Sequence, residues 1–379
     1  MPSPRPAVLL GYRMAPTDLD LARLGWNEHW ETAFAPHRAC GWQPARVAVQ
    51  DKHHYVLFAE AGELLAHIAG RLLHTLKSDA ELPKVGDWVA FKPTLPGEPK
   101  AVIQAVLPRR TKLGRKLPGR ETEEQVLVAN IDLAFVVLAL DQTFNPRLLE
   151  RFLLMVLEGG ARPVVVLNKA DLCADPAARV AEARQSAGDA PVVAVSAKTR
   201  RALREVLAFI QPAQSVVFIG ASGVGKSTLI NRLYGEAIQP TTEVRDSDGK
   251  GRHTTTWREL IVLPNGGLVI DTPGMREFQL WMAGEGLTEA FPDIALLARR
   301  CRFRECRHGA ERDCAVQAAL AAGGLARERF DNYLKLRREL EYLERARLWH
   351  QPFGRGRSDA DKRKRATREK WRYTGEEAE

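Results

Sequence analysis

Two short stretches of the chain have residue types and spacing that suit nucleotide binding. The first is Gly220-x-x-x-x-Gly225-Lys226-Ser227, between an apolar run and a helical pattern. In such a turn the glycines let backbone N–H groups point at phosphate oxygens, the lysine neutralises the β- and γ-phosphates, and the serine hydroxyl ligates Mg²⁺. The sequence predicts a phosphate-binding loop made of Gly220, Ala221, Ser222, Gly223, Val224, Gly225, Lys226, Ser227 and Thr228.

The second stretch, Asn168-Lys169-Ala170-Asp171, ends another apolar run and predicts the choice of base. A carboxylate at Asp171 can accept hydrogen bonds from both N1–H and the N2 amino group of guanine, a pairing that adenine does not offer. The Lys169 stem is expected to lie along the ring, and Asn168 to hold the loop together. Ser196-Ala197-Lys198 ends the next apolar run, where a backbone N–H would meet guanine O6. The predicted nucleotide is therefore GTP or GDP.

Two further segments predict the parts that respond to the γ-phosphate. Asp271-Thr-Pro-Gly274 ends a strand, so we expect Asp271 near Mg²⁺ and the Gly274 N–H against the γ-phosphate. The loop 250–257 contains three consecutive threonines. Either Thr254 or Thr255 is the candidate Mg²⁺ ligand that joins the loop serine, and the alternative is an ordinary strand start.

The residue after the DTPG glycine bears on hydrolysis. Many GTPases have a glutamine there that orients the attacking water, whereas this chain has Met275. Methionine cannot orient water, so the sequence predicts slow intrinsic turnover that a partner stimulates. His253 is the candidate that positions or deprotonates water, and Lys226 is the second predicted catalytic residue. The alternative for His253 is a loop histidine that touches only solvent or a partner.

The motifs come in a rotated order, because base recognition precedes phosphate binding in the chain. Around them, apolar strands alternate with helical patterns, which predicts a mostly parallel α/β sheet covered on both faces. The sequence therefore predicts a circularly permuted P-loop GTPase domain. The permutation places the cut just after the DTPG loop, so that this loop leads directly into the C-terminal region.

The regions on either side have different patterns. Five short β-rich runs separated by glycine and proline predict an all-β OB-fold barrel, and the alternative is a purely structural β-module. The N-terminal stretch predicts a helix whose N-cap is Thr17 or Asp18. The predicted divisions are an N-terminal extension 1–41, an OB-fold barrel 42–110, the α/β GTPase domain 111–280, a zinc-binding α-helical domain 281–350 and a basic, disordered tail 351–379.

Three of the five cysteines crowd into residues 301–314 together with a histidine. Three thiolates and one imidazole are a suitable tetrahedral set for a structural Zn²⁺, and the alternative is a group of free cytosolic thiols. The predicted zinc ligands are Cys301, Cys306, His308 and Cys314.

The charge of the chain points to a polyanionic partner. The net charge is +9, the basic stretch 108–120 reads as a linker, and five arginines lie between 299 and 307. Solvated basic faces are the alternative. No apolar run approaches the ~20 residues that span a bilayer, and the N-terminal apolar stretch is too short for a secretory signal. We therefore expect a cytoplasmic protein without a membrane partner.

The rotated NKAD, SAK, GASGVGKS, HTTT and DTPG series, followed by Cys-x₄-Cys-x-His-x₅-Cys, resembles the RsgA/YjeQ family of ribosome small-subunit-dependent GTPases. The resemblance implies an OB-fold, a permuted GTPase domain and a zinc-bearing helical domain. It also implies late maturation of the small ribosomal subunit, contact with its rRNA, and GTP hydrolysis stimulated by that subunit. We expect a monomer. Two rival hypotheses are an RNA-binding scaffold with a structural nucleotide site and a P-loop kinase of small molecules.

Overall fold

The computed structural model describes residues 20–51, 54–76, 78–95, 98–117, 120–235, 258–271, 285–309 and 311–349. In these ranges the chain forms thirteen strands and ten α-helices. The strands are β1 (Gln43–Asp51), β2 (His54–Ala59), β3 (Gly62–Ile68), β4 (Trp88–Pro93), β5 (Lys100–Val106), β6 (Lys112–Leu117), β7 (Arg120–Ala129), β8 (Leu133–Ala139), β9 (Arg162–Asn168), β10 (Val192–Ala194), β11 (Ser215–Ile219), β12 (Arg258–Val262) and β13 (Leu268–Asp271).

The helices are α1 (Glu28–Arg38), α2 (Gly70–Thr75), α3 (Pro146–Glu158), α4 (Pro176–Ala187), α5 (Leu203–Ala208), α6 (Lys226–Tyr234), α7 (Glu285–Ala290), α8 (Pro292–Ala298), α9 (Ala315–Ala321) and α10 (Arg327–Trp349). Asn145 caps α3 through its side chain and Pro146 follows at the first helical position, where its missing N–H costs nothing.

Strands β1 to β5 form the predicted five-stranded barrel. They follow the order β1-β2-β3-β5-β4, and a β1–β4 pairing closes the ring. Alternate residues point inward, so Val47, Tyr55, Leu57, Phe91 and Ile103 fill one small core. The order and closure agree with the OB-fold expectation.

The strands of the predicted GTPase domain continue the same sheet. Their order is β10-β9-β8-β11-β13-β12, with parallel pairing from β10 through β13 and antiparallel pairing between β13 and β12. Every residue of β8 and β11 is buried, as a strand covered on both faces requires. Helices α5 and α6 cover one face, while α3 and α4 cover the other.

The barrel and the GTPase sheet are joined edge to edge. The first half of β1 pairs with β4, and its second half pairs with β12 through Val49↔Glu259 and Gln50↔Arg258. Among the described residues, eleven strands thus belong to one hydrogen-bonded sheet.

The basic stretch 108–120 is not the linker that its charge suggested. Residues 112–117 form β6, which pairs antiparallel with β7. Arg109, just before β6, donates to both carboxylate oxygens of the buried Asp87 at 2.7–3.2 Å. Lys112 pairs with Glu124 at 2.6 Å. Arg109 and Lys112 therefore have acidic partners 22 and 12 residues away in the chain, which the local sequence did not indicate.

The helix predicted in the N-terminal region is present from Glu28 onward, and its predicted caps are not tested. Thr17 and Asp18 lie outside the described residues, 21–25 form turns, and α1 begins at Glu28. Its cap is Asn27, whose side chain accepts from the His29 and Trp30 N–H groups. The helix buries Trp30 and Phe34 in the core that includes the barrel residue Trp88, which adds tertiary packing to the local cap.

The C-terminal helices pack on the α3 side of the GTPase sheet. Arg329 of α10 donates to Glu150 of α3 at 2.6 Å and to both oxygens of Asp293 at 2.7 Å. Glu150 is only 2% exposed, and Asn332 also donates to it. Arg151 and Glu339 form a second, bidentate pair nearby. The docking of the C-terminal helices therefore includes a buried, hydrogen-bonded charge pair.

Replacing Arg329 with methionine is predicted to destabilise the protein by about 3–5 kcal/mol, because Glu150 then stays buried without its counter-charge. The matched control is Arg327→Met on the same helix, whose pair with Asp331 is largely exposed and contributes at most about 1 kcal/mol. Urea unfolding of both variants measures the difference. Equal losses in the two variants would contradict the role of the buried pair.

Candidate functional site

The predicted nucleotide residues converge on one edge of the sheet. Because β8, β9, β10, β11 and β13 run parallel, their carboxyl ends meet at the same edge. The residues at those ends are Asp141, Asn168, Ser196, Gly220 and Asp271. This is where ligands bind in open α/β sheets, so the edge has the position of a nucleotide site despite the rotated motif order.

The predicted phosphate-binding loop joins β11 to α6. Gly225, at a φ of 96°, caps the N-terminus of α6, and Lys226 is the first helical residue. The Lys226 ammonium donates to the carbonyls of Gly220 and Ala221 at 2.9 and 2.8 Å, so it lies over the loop. A Cβ on Gly220 would stand 2.2 Å from the Val137 carbonyl oxygen. Only glycine therefore allows this approach of loop to strand.

Asn168 joins the base-recognition strand to the phosphate loop. Its side-chain amide donates to the Val224 carbonyl at 2.8 Å and accepts from the Ala197 N–H at 3.0 Å. A Cβ on Gly225 would lie 2.3 Å from the same amide nitrogen. One buried side chain thus connects three of the predicted motifs.

The acidic residue predicted to read the base is already oriented. Asp171 is exposed, and its carboxylate accepts from the Ser196 hydroxyl at 2.5 Å. The Thr199 N–H donates to the same hydroxyl oxygen at 3.1 Å. Ser196 therefore belongs to the predicted base site through its side chain, whereas the sequence had suggested only its backbone.

The other predicted nucleotide residues lie along this edge with graded exposure. Ser222 and Gly223 are exposed at the tip of the predicted phosphate loop. Ser227 and Thr228 are half-buried in the first turn of α6. Ala170 is buried in a 3₁₀ turn, and Lys198 is exposed after β10.

The sequence did not single out Asp141, which the structure places beside Lys169. The Lys169 ammonium donates to Asp141 at 2.9 Å, and the Thr143 N–H and hydroxyl donate to the same carboxylate. Partial burial opposes ionisation of Asp141, but the bonds from Thr143 and Lys169 outweigh it and lower its pKa to about 2. The sequence signal that could have identified Asp141 was its position, as a charged residue just after the fully apolar strand β8.

Four predicted site residues lie outside the described residues: His253, Thr254, Thr255 and Gly274. Met275 lies outside them as well. The remaining member of the γ-phosphate group, Asp271, is half-buried at the end of β13, directly opposite Glu259 of β12.

The four predicted metal ligands come together in the C-terminal helical region. Their ligand atoms all lie within 4.8 Å of one another. Cys301 Sγ is 3.8 Å from Cys314 Sγ, and each of these sulfurs is 3.6 Å from His308 Nδ1. The Gln317 N–H points at Cys314 Sγ, and its side-chain amide donates to the His308 carbonyl. Cys301, Cys306, His308 and Cys314 therefore form a candidate metal site.

These features together define a circularly permuted P-loop GTPase with an N-terminal β-barrel and a cysteine-rich helical region. Residues 106–281 match the family model described as RsgA GTPase. The chain is 45% identical over 335 residues to the small ribosomal subunit biogenesis GTPase RsgA of Opitutus terrae, covering 86% of this chain and 91% of that protein. It is 43% identical over 330 residues to the protein of the same name from Syntrophotalea carbinolica, covering 85% and 90%. The chain therefore belongs to the RsgA GTPase family.

Solved structures of relatives have the same architecture. The crystal structure of YjeQ from Thermotoga maritima superposes with a TM-score of 0.59 at 28% identity, covering 79% of this chain and 98% of that one. The structure of YloQ, described as a circularly permuted GTPase, gives 0.58 at 26% identity, covering 79% and 95%. The permutation inferred from motif order is thus confirmed. Within the described ranges, no helix has both the length and the hydropathy needed to span a bilayer.

Replacing Gly225 with alanine is predicted to lower GDP affinity by about tenfold or more, since the new methyl group displaces the Asn168 amide from Val224. Gly235→Ala is the matched control. Gly235 ends the same helix at a nearly equal φ of 94°, yet its Cβ would contact nothing within 4 Å. Fluorescent-GDP titration should therefore separate the two variants. Similar losses in both would assign the effect to backbone strain alone.

Proposed function

We propose that this protein hydrolyses GTP while bound to the small ribosomal subunit and assists the late maturation of that subunit. The observation that carries the proposal is the convergence of base-reading and phosphate-binding motifs on one sheet edge in a chain whose relatives are named small ribosomal subunit biogenesis GTPases. GTP and GDP are the proposed ligands.

Asp171 accepts guanine N1–H and N2–H₂ in this proposal, and Ser196 holds its carboxylate in place. Lys169 lies along the ring with its ammonium fixed by Asp141. The backbone of the segment Ser196-Ala197-Lys198 meets guanine O6 in the proposal, while the Ala197 N–H itself is held by Asn168. Specificity for guanine follows because adenine presents no donor pair to a carboxylate.

The phosphates bind at the N-terminus of α6, where the backbone N–H groups from Gly220 to Thr228 and the helix dipole favour negative charge. Lys226 exchanges the Gly220 and Ala221 carbonyls for β- and γ-phosphate oxygens and stabilises the charge that develops during transfer. Mg²⁺ neutralises the phosphate charge, and the Ser227 hydroxyl is its proposed protein ligand.

The response to the γ-phosphate is assigned to the segments around His253 and Gly274. In the proposal Thr254 or Thr255 completes the Mg²⁺ ligands, Asp271 holds the water shell of the ion, and the Gly274 N–H contacts the γ-phosphate. Met275 occupies the position at which many GTPases have a glutamine that orients the attacking water. In the proposal His253 positions this water instead.

The metal proposed for the cysteine cluster is a structural Zn²⁺. A tetrahedral zinc with Zn–S bonds of about 2.3 Å places its sulfur ligands about 3.8 Å apart, which is the Cys301–Cys314 separation. Four protein ligands leave no open position for a substrate. The chemistry of the donor set therefore fits an ion that fixes the loop between α8 and α9.

The proposed rRNA contacts are the barrel and the arginines around the metal site. Arg299, Arg300, Arg302, Arg304 and Arg307 are all exposed. The Arg302 guanidinium lies 5.8 Å from the ring centre of the half-exposed Phe303. Exposed cations beside an exposed aromatic ring suit phosphates and unstacked bases. A monomer in the cytoplasm, where ribosomes assemble, completes the proposal.

The test is GTP turnover by the full-length protein, alone and with isolated small subunits, large subunits or bulk RNA. Small subunits alone should stimulate turnover on the order of tenfold or more. The variant His253→Ala should keep GTP affinity and lose most of this stimulation. GTP binding without stimulation by any of these would favour the scaffold hypothesis, and preference for ATP with a small acceptor would favour the kinase.

Replacing Cys306 with serine is predicted to abolish stoichiometric zinc, since it removes one of four ligands. The control is Cys40→Ser, because Cys40 is exposed and lies in the N-terminal region, remote in sequence from the cluster. Metal analysis by mass spectrometry should find one zinc per chain in the wild type and the control. A zinc-free wild type purified without chelators would refute the metal assignment.

A further inference from the structure

A cavity of about 200 Å³ lies where the N-terminal segment, the barrel and the GTPase sheet meet. Its lining includes Trp26 from the N-terminal segment, Trp88 from β4, and Asp132 and Ser215 where β8 and β11 begin. The nucleotide site lies at the carboxyl ends of the same parallel strands. The seven residues of β8 span about 23 Å, so the cavity is separate from that site.

The walls of this cavity are fixed by contacts within the chain. Trp26 is half-buried, its indole N–H donates to Glu31 at 3.1 Å, and its ring meets that of Trp88 edge to face at 4.8 Å. Gly25, at a φ of 92°, lets the N-terminal segment approach the loop before β11, because a Cβ there would stand 2.8 Å from the Ala213 carbonyl oxygen. The cavity is therefore preformed and has an aromatic wall.

Two charged side chains that line the cavity keep hydrogen-bonding capacity that no described residue uses. One Asp132 carboxylate oxygen accepts the Ser215 N–H at 2.8 Å, and the other accepts no hydrogen bond from the described part of the chain. The Arg110 backbone N–H donates to the Asn130 side chain at 3.0 Å, whereas its exposed guanidinium makes no hydrogen bond or ion pair with a described residue. An aromatic wall, one free acceptor and one free cation therefore line the same space.

The chemistry of these groups favours a flat, neutral ring that carries an N–H donor. The buried charge of Arg46 already attracts Asp132, so the free carboxylate oxygen suits an uncharged amino group better than a second cation. The aromatic wall suits the face of a nucleobase, and Arg110 suits the phosphate attached to it. The volume is below the ~300 Å³ at which sites for drug-sized ligands begin, so it suits a single ring system.

We propose that this cavity binds a nucleotide with an amino-bearing base, cytosine or adenine, supplied by single-stranded RNA or as a free mononucleotide. The base stacks on Trp26, its exocyclic amino group donates to Asp132, and its phosphate lies against Arg110. Uracil is disfavoured because it presents a carbonyl oxygen where cytosine presents the amino group. The choice of RNA as a source rests on the proposed function, while the site itself does not.

The experiment uses the full-length protein loaded with one equivalent of GDP and Mg²⁺, so that the probes do not occupy the phosphate loop. Short fluorescein-labelled oligocytidine and oligouridine are titrated by anisotropy, and CMP by calorimetry. Wild-type protein should prefer oligocytidine roughly tenfold, as expected for one hydrogen bond to a charged group. Trp26→Ala should weaken binding of both oligomers by roughly fivefold to a hundredfold, the range for one base–aromatic contact. The control Trp42→Ala removes a half-buried tryptophan that does not line the cavity and should bind like the wild type.

Asp132→Asn separates base recognition from an effect on folding. Its amide oxygen can still accept the Ser215 N–H, so the amide nitrogen takes the place of the free carboxylate oxygen. A donor at that place suits the uracil carbonyl, so the preference for oligocytidine should be lost or reversed while GDP affinity is unchanged. A purely structural role of Asp132 would lower both oligomer affinities in parallel.

Arg110→Gln tests the phosphate contact. It should weaken both oligomers alike and reduce the slope of log affinity against log salt by about 0.7, the contribution of one phosphate contact on a single strand. The control Arg162→Gln removes an exposed arginine at the start of β9 that does not line the cavity, and it should leave the slope unchanged. An unchanged slope in Arg110→Gln contradicts the proposal.

The CMP titration distinguishes the two sources of the base. CMP that binds as tightly as oligocytidine identifies a free mononucleotide, whereas much tighter binding of oligocytidine identifies RNA, and both results support the cavity. Wild-type protein that binds neither probe, or that binds oligocytidine and oligouridine equally, overturns the proposal. An Asp132→Asn variant with the wild-type preference overturns it as well. None of these outcomes bears on GTP turnover with small subunits, which tests the proposed function separately.

Discussion

The junction of the N-terminal segment, the barrel and the GTPase sheet depends on one buried arginine. Arg46 of β1 is 2% exposed and donates to the carbonyls of Leu24, Gly86 and Asn130 and to the Ser215 hydroxyl. Burial lowers its pKa to about 10, against the opposing charges of Asp132 and Asp87, so it remains charged at neutral pH. Because an unsatisfied buried charge costs several kcal/mol, the acceptors must all be in place together. They come from the N-terminal segment, the barrel, the end of β7 and the start of β11.

Arg46 fixes the base of the GTPase sheet, and Asn168 performs the comparable task at its other edge. Asn168 ties the predicted phosphate loop to β9, while Lys169 and Asp171 extend from the turn that follows this strand. Ordering these segments costs conformational entropy. Burial of the strands and docking of the C-terminal helices through Arg329 offset this loss. The candidate site therefore rests on elements that contacts within the chain hold in place.

Much of the fold and site followed from the sequence, for physical reasons. Strands buried on both faces appear as continuous apolar runs, so β8, β9 and β11 were evident, and motifs at their ends had to share one edge. Pairings between distant residues were not evident. The pairs Arg109–Asp87 and Lys169–Asp141 form only when the chain folds. The basic stretch was therefore interpreted as a linker, and Asp141 was not identified as a site residue. The cap of α1 was also missed, because Asn27 lies in the middle of the stretch that the sequence predicted as one helix.

The pairing of β1 with β12 also affects the order in which the sheet can form during synthesis. β1 ends at Asp51, whereas its edge partner β12 begins at Arg258. At a synthesis rate of 5–20 residues per second, the roughly 200 residues between these strands take about 10–40 s to emerge. During this time the second half of β1 has no partner strand on the side that β12 later occupies. An unpaired edge is a template for pairing with another chain. The half-strand is short, and β12 covers it only when most of the GTPase sheet is already made, so one of the last strands to appear pairs with the strand that was made first.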